Sequence, residues 1–457
     1  MSEMVHEAVN GGNGDENVGY QWFYNREVLS SLLLLFASVS AVFWANSFLS
    51  DTYHHLLHTR LALIIGHGEF TTTFLHWVND GLMTLFFFTV GLEIKREILV
   101  GELASPKAAL LPVIAAVGGM LVPGLIYFGF NYGTPYMGGW GIPVATDIAF
   151  ALGAIALLGR KLPVGLRIFL AAFAIADDLG AVMIIALFYT KEIVTSYLVA
   201  AIICVFLLLM CNLLWVRRIS VYLILGLATW IAVMGSGVHA TVAGVVVALL
   251  IPAKARYSTA RFARRVDRIM SGFEYKEHLS EYWYAILLEP SHLNAVHNLE
   301  QACHDVETPL QRLEHALHPW VAFLILPIFA FGNAGLSLSG MAFAESITHP
   351  VTLGILLGLF VGKPVGVTLA SWIAVRAGVA SMPEGVRWSH IIGASMLGGI
   401  GFTMSLFIAG LSFVTPDLLN VSKLGVLSGS ILSGVAGLSY LIWDYRRHSR
   451  KEAEAAA

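Results

Sequence analysis

Asp177 and Asp178 are adjacent and sit in the middle of an apolar run from Val164 to Tyr189. A third acid, Asp147, and a single lysine, Lys363, interrupt two other apolar runs. An ionised side chain at the centre of a bilayer costs about 2.5–3.5 kcal/mol on insertion scales, and such residues mark ion pathways and proton relays. Two neighbouring carboxylates repel and a dry site disfavours their charge, so one of them can exchange a proton near neutral pH. A small hard cation such as Na⁺ or Li⁺ also seeks oxygen ligands. The same oxygens therefore take either a proton or the metal ion, and that competition is the core of antiport. On a helix the two acids project about 100° apart, so both can border one cavity without sharing a face. Lys363 stays charged beside an ionised aspartate; if a bound cation takes that aspartate away, a dry site favours its neutral form. The competing explanation is a structural ion pair stitching two spans. Three carboxylates against one lysine leave excess negative charge, which favours an ion site.

The elements that must position these residues are membrane helices. Of 457 residues, 57% are hydrophobic and only 12% charged, against about a quarter charged in a soluble domain. A helical crossing takes about 20 apolar residues. The pattern predicts an all-α integral membrane protein with twelve spans, at 28–50, 77–99, 109–130, 138–158, 164–189, 194–215, 219–236, 239–252, 317–337, 350–375, 389–413 and 422–444. The eighth is short, so it either tilts with help from its flanks or stops short of a full crossing. Lys and Arg concentrate in cytoplasmic loops. With the N-terminus inside, 23 of the 27 basic residues fall at or beyond the inner ends of the spans, only Arg60, Lys191 and Lys423 fall on the outer side, and the remaining one, Lys363, lies deep within a span. Both termini are therefore expected in the cytoplasm.

The polar, acidic residues 1–27 read as a disordered cytoplasmic tail without the pattern of a removable signal peptide. Spans 1–8 fill 28–252, spans 9–12 fill 317–444, and 445–457 is a second cytoplasmic tail. Between them, 253–316 is a cytoplasmic loop. In it Phe262, Val266, Ile269, Met270 and Phe273 share one helical face, and Arg261, Arg264, Arg265 and Arg268 share the other. That is the pattern of a basic helix on the inner leaflet, or of a solvated loop with one amphipathic turn. Thr308-Pro309-Leu310-Gln311 has the order of a helix N-terminus: cap, first-turn proline, and glutamine at the third position. Cys204, Cys211 and Cys303 suggest no disulfide framework.

Two spans contain sequences that a continuous helix avoids: Gly141-Ile142-Pro143-Val144-Ala145-Thr146-Asp147 and Gly398-Gly399-Ile400-Gly401-Phe402-Thr403. Glycine lowers helix stability by about 1 kcal/mol relative to alanine, and proline by about 3. Small residues also serve close helix packing. However, these are the fourth and eleventh spans, the middle members of spans 3–5 and 10–12. Paired interruptions in two halves point to inverted repeats with two discontinuous helices and a midplane site. Half-helix ends carry partial charges, which Asp147 can neutralise where they are positive and Lys363 where they are negative.

Other charged groups stand further out. Glu93, Lys95, Arg96 and Glu97 close the second span on the inside, Asp80 lies near its outer end, and His239 opens the eighth. End-of-span snorkelling and capping account for charges in such places. His315 and His318 beside Glu314 have the chemistry to sense cytoplasmic pH.

At these residues the chain resembles bacterial NhaA-type Na⁺/H⁺ antiporters. The matching stretches are Asn79-Asp80-Gly81, Gly91-Leu92-Glu93-Ile94-Lys95-Arg96-Glu97, Ala145-Thr146-Asp147-Ile148-Ala149-Phe150, Ala174-Ile175-Ala176-Asp177-Asp178-Leu179-Gly180, Gly237-Val238-His239-Ala240-Thr241, Leu317-His318-Pro319-Trp320, Gly362-Lys363-Pro364 and Gly401-Phe402-Thr403-Met404-Ser405. They run in order across the membrane region. The resemblance implies that Asp178 is the principal Na⁺-binding carboxylate and that Asp177 is the proton carrier paired with Lys363. It implies that Thr146 and Asp147 form the broken-helix crossing. It also implies that Glu93, Arg96 and Glu97 with Glu314, His315 and His318 form an inner funnel tied to pH activation.

The implied activity is export of Na⁺ or Li⁺ for two imported H⁺. It is electrogenic and pH-regulated, serves sodium and pH homeostasis, and works without a cofactor. The implied setting is the bacterial inner membrane, among its lipids, as a homodimer held partly by the outer segment after the first span, with no nucleic-acid partner. Segment 253–316 is longer than this family leads one to expect and lies just before the pH-sensing cluster. A sodium-coupled solute symporter on a related fold would need a roomier cavity with groups for the solute. An intramembrane aspartyl protease, the enzymatic alternative, places one aspartate in a Gly-x-Gly-Asp context that is absent around Asp147, Asp177 and Asp178. A channel suits competing protonation at a closed midplane site less well than alternating access does.

Overall fold

The computed structural model describes residues 12–65, 68–190, 193–255, 257–271, 290–337 and 343–456. Lys191, Phe273 and residues 1–11 of the expected tail lie outside them. The described chain is almost wholly helical, because a segment in hydrocarbon must satisfy its backbone groups internally. Nine described helices are long and apolar enough to cross a membrane. The count becomes ten when a pair bent by 46°, Trp388–Leu397 and Phe402–Ser412, is taken as one span.

The first helix, α1 (Gly12–Ala45), begins inside the stretch 1–27 that the sequence suggests is a disordered tail. Adding residues to a formed helix costs far less than starting one, so the apolar run carries order into its polar flank. A short helix α2 (Ser50–His58) leads to a hairpin of β1 (Arg60–Ile65) and β2 (Gly68–Thr73). The strands are antiparallel, with Arg60 opposite Thr73 and Ile65 opposite Gly68. This hairpin is the one β-sheet among the described residues, and it was not expected.

Next come α3 (Met83–Val100), α4 (Pro106–Asn131), α5 (Ile148–Leu158), α6 (Val164–Phe188), α7 (Thr195–Leu213), α8 (Ile219–Ser236) and α9 (Ala240–Leu250). The short α9 ends among side-chain donors. Lys95 Nζ donates to the carbonyls of Leu249 at 2.7 Å and Ile251 at 2.5 Å, and Asn212 Nδ2 to that of Leu250 at 2.6 Å. Carbonyls that an early stop would orphan are thereby satisfied. Lys95 is a cap, and not merely a snorkelling charge.

On the segment 253–316 lie α10 (Thr259–Ser271), α11 (Pro290–Val306) and the start of α12 (Pro309–Trp320). α10 packs on α11, with Arg265 paired to Asp305 at 3.1 Å. Phe262, Val266 and Ile269 are half-buried, while Arg261, Arg264, Arg268 and Met270 are exposed. The capping box at Thr308 forms as the sequence suggests: Thr308 Oγ1 accepts from Gln311 N–H, and Gln311 Oε1 accepts from Thr308 N–H.

The chain continues through α13 (Leu326–Ala334), α14 (Pro350–Leu357), α15 (Lys363–Arg376), α16 (Trp388–Leu397), α17 (Phe402–Ser412) and α18 (Pro416–Ala456). Single π-helical turns interrupt three helices, at Trp77–Leu82, Val321–Ile325 and Gly358–Gly362. Two of them adjoin prolines: Pro319 precedes the second and Pro364 follows the third. Proline lacks the N–H that the helical ladder needs, and a π turn re-spaces the remaining bonds; such turns recur at functional sites. α15 lies tightly on α4 through facing glycines. A methyl group on Gly118 would collide with the Gly366 carbonyl, and one on Gly366 with the Gly118 carbonyl. That close approach carries Lys363 into the protein interior.

Candidate functional site

The two interrupted spans break where the sequence suggests, and each break completes the other. Before the first lies a 3₁₀ helix, Met137–Val144, and after it α5; α16 and α17 flank the second. Extended residues 145–147 run past 398–401. Asp147 N–H donates to the Ile400 carbonyl at 2.6 Å, and Thr146 Oγ1 donates to the Gly398 carbonyl at 2.8 Å. Ser405 Oγ ties the Ile142 carbonyl at 2.7 Å. Non-helical backbone is tolerated at this depth only when protein groups satisfy it in this way.

Asp147 stands between two helix N-termini. Its Oδ1 accepts from Phe150 N–H in the first turn of α5 at 3.1 Å, and its Oδ2 accepts from Thr403 N–H at 2.9 Å and Thr403 Oγ1 at 2.5 Å in α17. Each helix start carries about +0.5 of a charge, so one carboxylate neutralises both. Ser430 Oγ on α18 takes two more donors at the start of α17, the N-cap Gly401 N–H at 3.2 Å and Phe402 N–H at 3.1 Å.

Lys363 reaches Asp177, with Nζ 2.8 Å from Oδ1 and 2.7 Å from Oδ2, and both side chains are fully buried. The ammonium also lies 5.6 Å from the centre of the Phe173 ring, a favourable placement for a desolvated cation. Gly119 lies beside the lysine stem, and a methyl group there would collide with Val367 on the same helix as Lys363. Lys363 therefore faces Asp177, the pairing that the resemblance implies, and of its two expected partners the negative half-helix ends are not the one it meets.

Asp178 differs from its neighbours. It is 1% exposed, and neither carboxylate oxygen has a hydrogen-bond partner among the described residues. It feels the like charges of Asp177, Asp147 and Glu93, and the opposite charge of Lys363. Lys363 already compensates Asp177, and the helix ends compensate Asp147. A buried carboxylate without compensation is costly, and a proton or a bound cation is what chemically relieves that cost.

The remaining candidates gather toward the C-terminal end of α3. Arg96 pairs with Glu314 and, at 2.9 Å, with Glu97, whose other oxygen accepts from Glu102 N–H at 3.1 Å. His315 acts electrostatically on Glu314. Glu93 and His318 line a cavity of about 160 Å³ together with Glu27, Ser30, Thr89, Ile148 and Ala149. Of the six residues expected in the funnel, three form a charged trio and two line a cavity, while His315 stands beside the trio as a neighbour of Glu314. Near the other end of this span, Asp80 lies 2.9 Å from His76 and 3.7 Å from His239, which caps α9.

Several contributors escaped sequence reasoning. Thr403 and Ser405 were visible only as parts of a motif, and Ser430 gave no signal, since a serine in an apolar helix is common. Glu27 stood at the edge of the first span, where charge needs no special explanation.

The profile of the family described as Na⁺/H⁺ antiporter 1 matches residues 21–441. This chain belongs to that family of NhaA-type antiporters. A Na⁺/H⁺ antiporter NhaA 1 of Saccharophagus degradans is 48% identical over 425 residues, covering 92% of this chain and 90% of the relative. A Na⁺/H⁺ antiporter NhaA of Wolinella succinogenes is 44% identical over 444 residues, covering 97% of both chains. That of Escherichia coli is 45% identical over 423 residues, covering 92% and 96%. The family is one of transporters rather than enzymes, and its members' name fits the many apolar helices. For this antiporter family member, two broken helices that cross beside two buried acids match the architecture of discontinuous-helix transporters, of which NhaA is a named example.

Proposed function

We propose that this chain exports Na⁺ (or Li⁺) from the cytoplasm in exchange for H⁺, with Asp178 as the principal cation ligand. One observation carries the reading: Asp178 is the buried carboxylate at the crossing whose oxygens lack partners. Na⁺ and H⁺ then compete for it. Asp177 and Lys363 form the second proton site. When Na⁺ draws Asp177 toward itself, Lys363 loses its partner and releases a proton; when Na⁺ leaves, Lys363 regains both. One cycle moves two H⁺ inward for one Na⁺ outward, so one net positive charge enters and the membrane potential helps to drive export.

Thr146 and Asp147 hold the crossing that opens alternately to each side. The Arg96–Glu97–Glu314 trio, Glu93, His315 and His318 form the inner funnel and adjust activity to cytoplasmic pH. We place the protein in the bacterial inner membrane, among its lipids, with twelve crossings and both termini inside. The crossings include α9 and the helix containing Asp80 and Glu93. Copies pair as homodimers through the β1–β2 hairpin. The layout 28–252, 253–316 and 317–444 separates two membrane blocks from a cytoplasmic insertion.

The test is dye-quench transport in everted vesicles with Na⁺, Li⁺ or K⁺ added over a range of pH. Na⁺- and Li⁺-dependent dequenching that vanishes in Asp178→Asn supports the reading, and substantial residual exchange in that variant contradicts it.

A further inference from the structure

A second charged cluster lies outside the ion site and its funnel, where the start of α16 meets the later turns of α18. Asp444, 3% exposed, accepts from Arg387 Nη2 at 3.1 Å. Its carboxylate lies 3.5 Å from His390 Nε2 and 3.4 Å from His448 Nδ1. His448 Nδ1 is also 3.0 Å from the Asp444 backbone carbonyl. Arg387 N–H, at the N-cap of α16, donates to His390 Nδ1 at 3.3 Å, and the Arg387 guanidinium comes within 3.0 Å of His390 Nε2.

We infer that this cluster is a proton-sensitive clasp that sets the position of α16, and through it the broken-helix crossing. The inference rests on the antiport reading. α16 is ten residues long, and its far end feeds the crossing: the Gly398 carbonyl holds Thr146, and the Ile400 carbonyl holds Asp147. Asp444 is therefore a positioning residue that acts through Arg387 and His390. α18 serves both ends, since Ser430 caps α17 and Asp444 grips the start of α16.

The imidazole of His390 has room for one proton but not two. One ring nitrogen accepts the N-cap N–H, and the other faces the Arg387 guanidinium. A second proton would end the cap bond and set two cations 3.0 Å apart, both competing for one carboxylate. The groups that act on His390 are Arg387, Asp444 and His448. Tyr440 and Arg447 flank Asp444 on its own helix. On the neighbouring turn Lys161 lies over Tyr445, 5.9 Å from its ring centre, and Arg167 of α6 is bonded to the Gly159 carbonyl. Histidine changes charge between about pH 5 and 8. The clasp as described is thus the state of a neutral or alkaline cytoplasm, and acidification loosens it.

The test compares the full-length parent with His390→Gln in everted vesicles over a pH series, at saturating and at limiting Na⁺. Glutamine accepts the cap bond and takes no proton. Its acid-side half-maximum should move down by about half a pH unit or more, while the maximal alkaline rate and the Na⁺ KM at that pH stay at parental values. A superimposable pH profile at equal protein content overturns the clasp. An inactive parent would instead refute the antiport reading. Should His390→Gln fold poorly, hydrogen–deuterium exchange of the parent decides. Residues 388–400 should exchange faster below about pH 6.5, after correction for intrinsic rates, than at alkaline pH; unchanged protection overturns the proposal.

Discussion

Replacing Lys363 with alanine removes the cation that faces both oxygens of Asp177 at 2.7 and 2.8 Å. Neither side chain touches solvent. Breaking a buried pair by deleting one partner costs about 3–5 kcal/mol, because the other charge is left uncompensated. Exchanging both partners for neutral residues of similar volume is often near neutral. Lys363→Ala should therefore lower the Tm in detergent, and Asp177→Asn with Lys363→Met should recover most of that loss. A double-mutant cycle should give a coupling of about 3 kcal/mol, well beyond the additivity of independent sites. Tm would be followed by fluorescence-detected size exclusion after heating, on purified single and double variants. Recovery of the fold should not bring back the second proton, so the charge moved per Na⁺ in proteoliposomes should differ from the parent's. Additive Tm losses would refute the energetic reasoning. An unchanged charge-to-sodium ratio in the double variant would remove Lys363 from the mechanism.

Three other perturbations probe neighbouring parts. Asp178→Asn should abolish exchange yet leave Tm equal to the parent's or higher, because it removes an uncompensated buried charge and breaks no hydrogen bond seen in the structure; paired transport and melting curves check this. Thr403→Val deletes the 2.5 Å hydroxyl bond to Asp147 while the backbone bond remains. A hydrogen bond to a charged group is worth about 1.5–3 kcal/mol, so Tm and transport rate should both fall, and Thr403→Ser should restore them. Trimming 260–305 should leave exchange intact and move its pH profile. The ends of that segment already meet, since Leu310 N–H donates to the Pro252 carbonyl at 3.2 Å; loss of all transport in a well-folded product would give the loop a direct part in ion movement.

The acids and the lysine of the ion site were legible because charge within apolar sequence is expensive, and the breaks because glycine and proline oppose helix. Their mutual geometry was not legible. Thr146 meets Gly398 and Asp147 meets Thr403 across more than half of the chain, and no local pattern specifies such pairings. That Asp147 could serve positive helix ends was legible, but its bonds to Phe150 and Thr403 emerged only from the fold, and the pairing of Lys363 with Asp177 came from the family resemblance and not from any local pattern. The π turn before Lys363 was hidden for a similar reason: Gly358 and Gly362 look the same in sequence whether they serve close packing or a re-spaced ladder. At the termini of elements the signal was weakest. α1 reaches back to Gly12 through polar residues, and the hairpin Arg60–Thr73 carries a Gly66-His67-Gly68 turn signal that a search for apolar spans passes over.

The central claim is that Na⁺ and protons share the oxygens of Asp178. Equilibrium binding of radioactive Na⁺ to purified protein, measured from about pH 6 to 9, addresses it directly. The account predicts that Kd rises about tenfold for each unit of acidification while one proton is displaced, and more steeply where two are displaced. A Kd that stays constant across that range would contradict it.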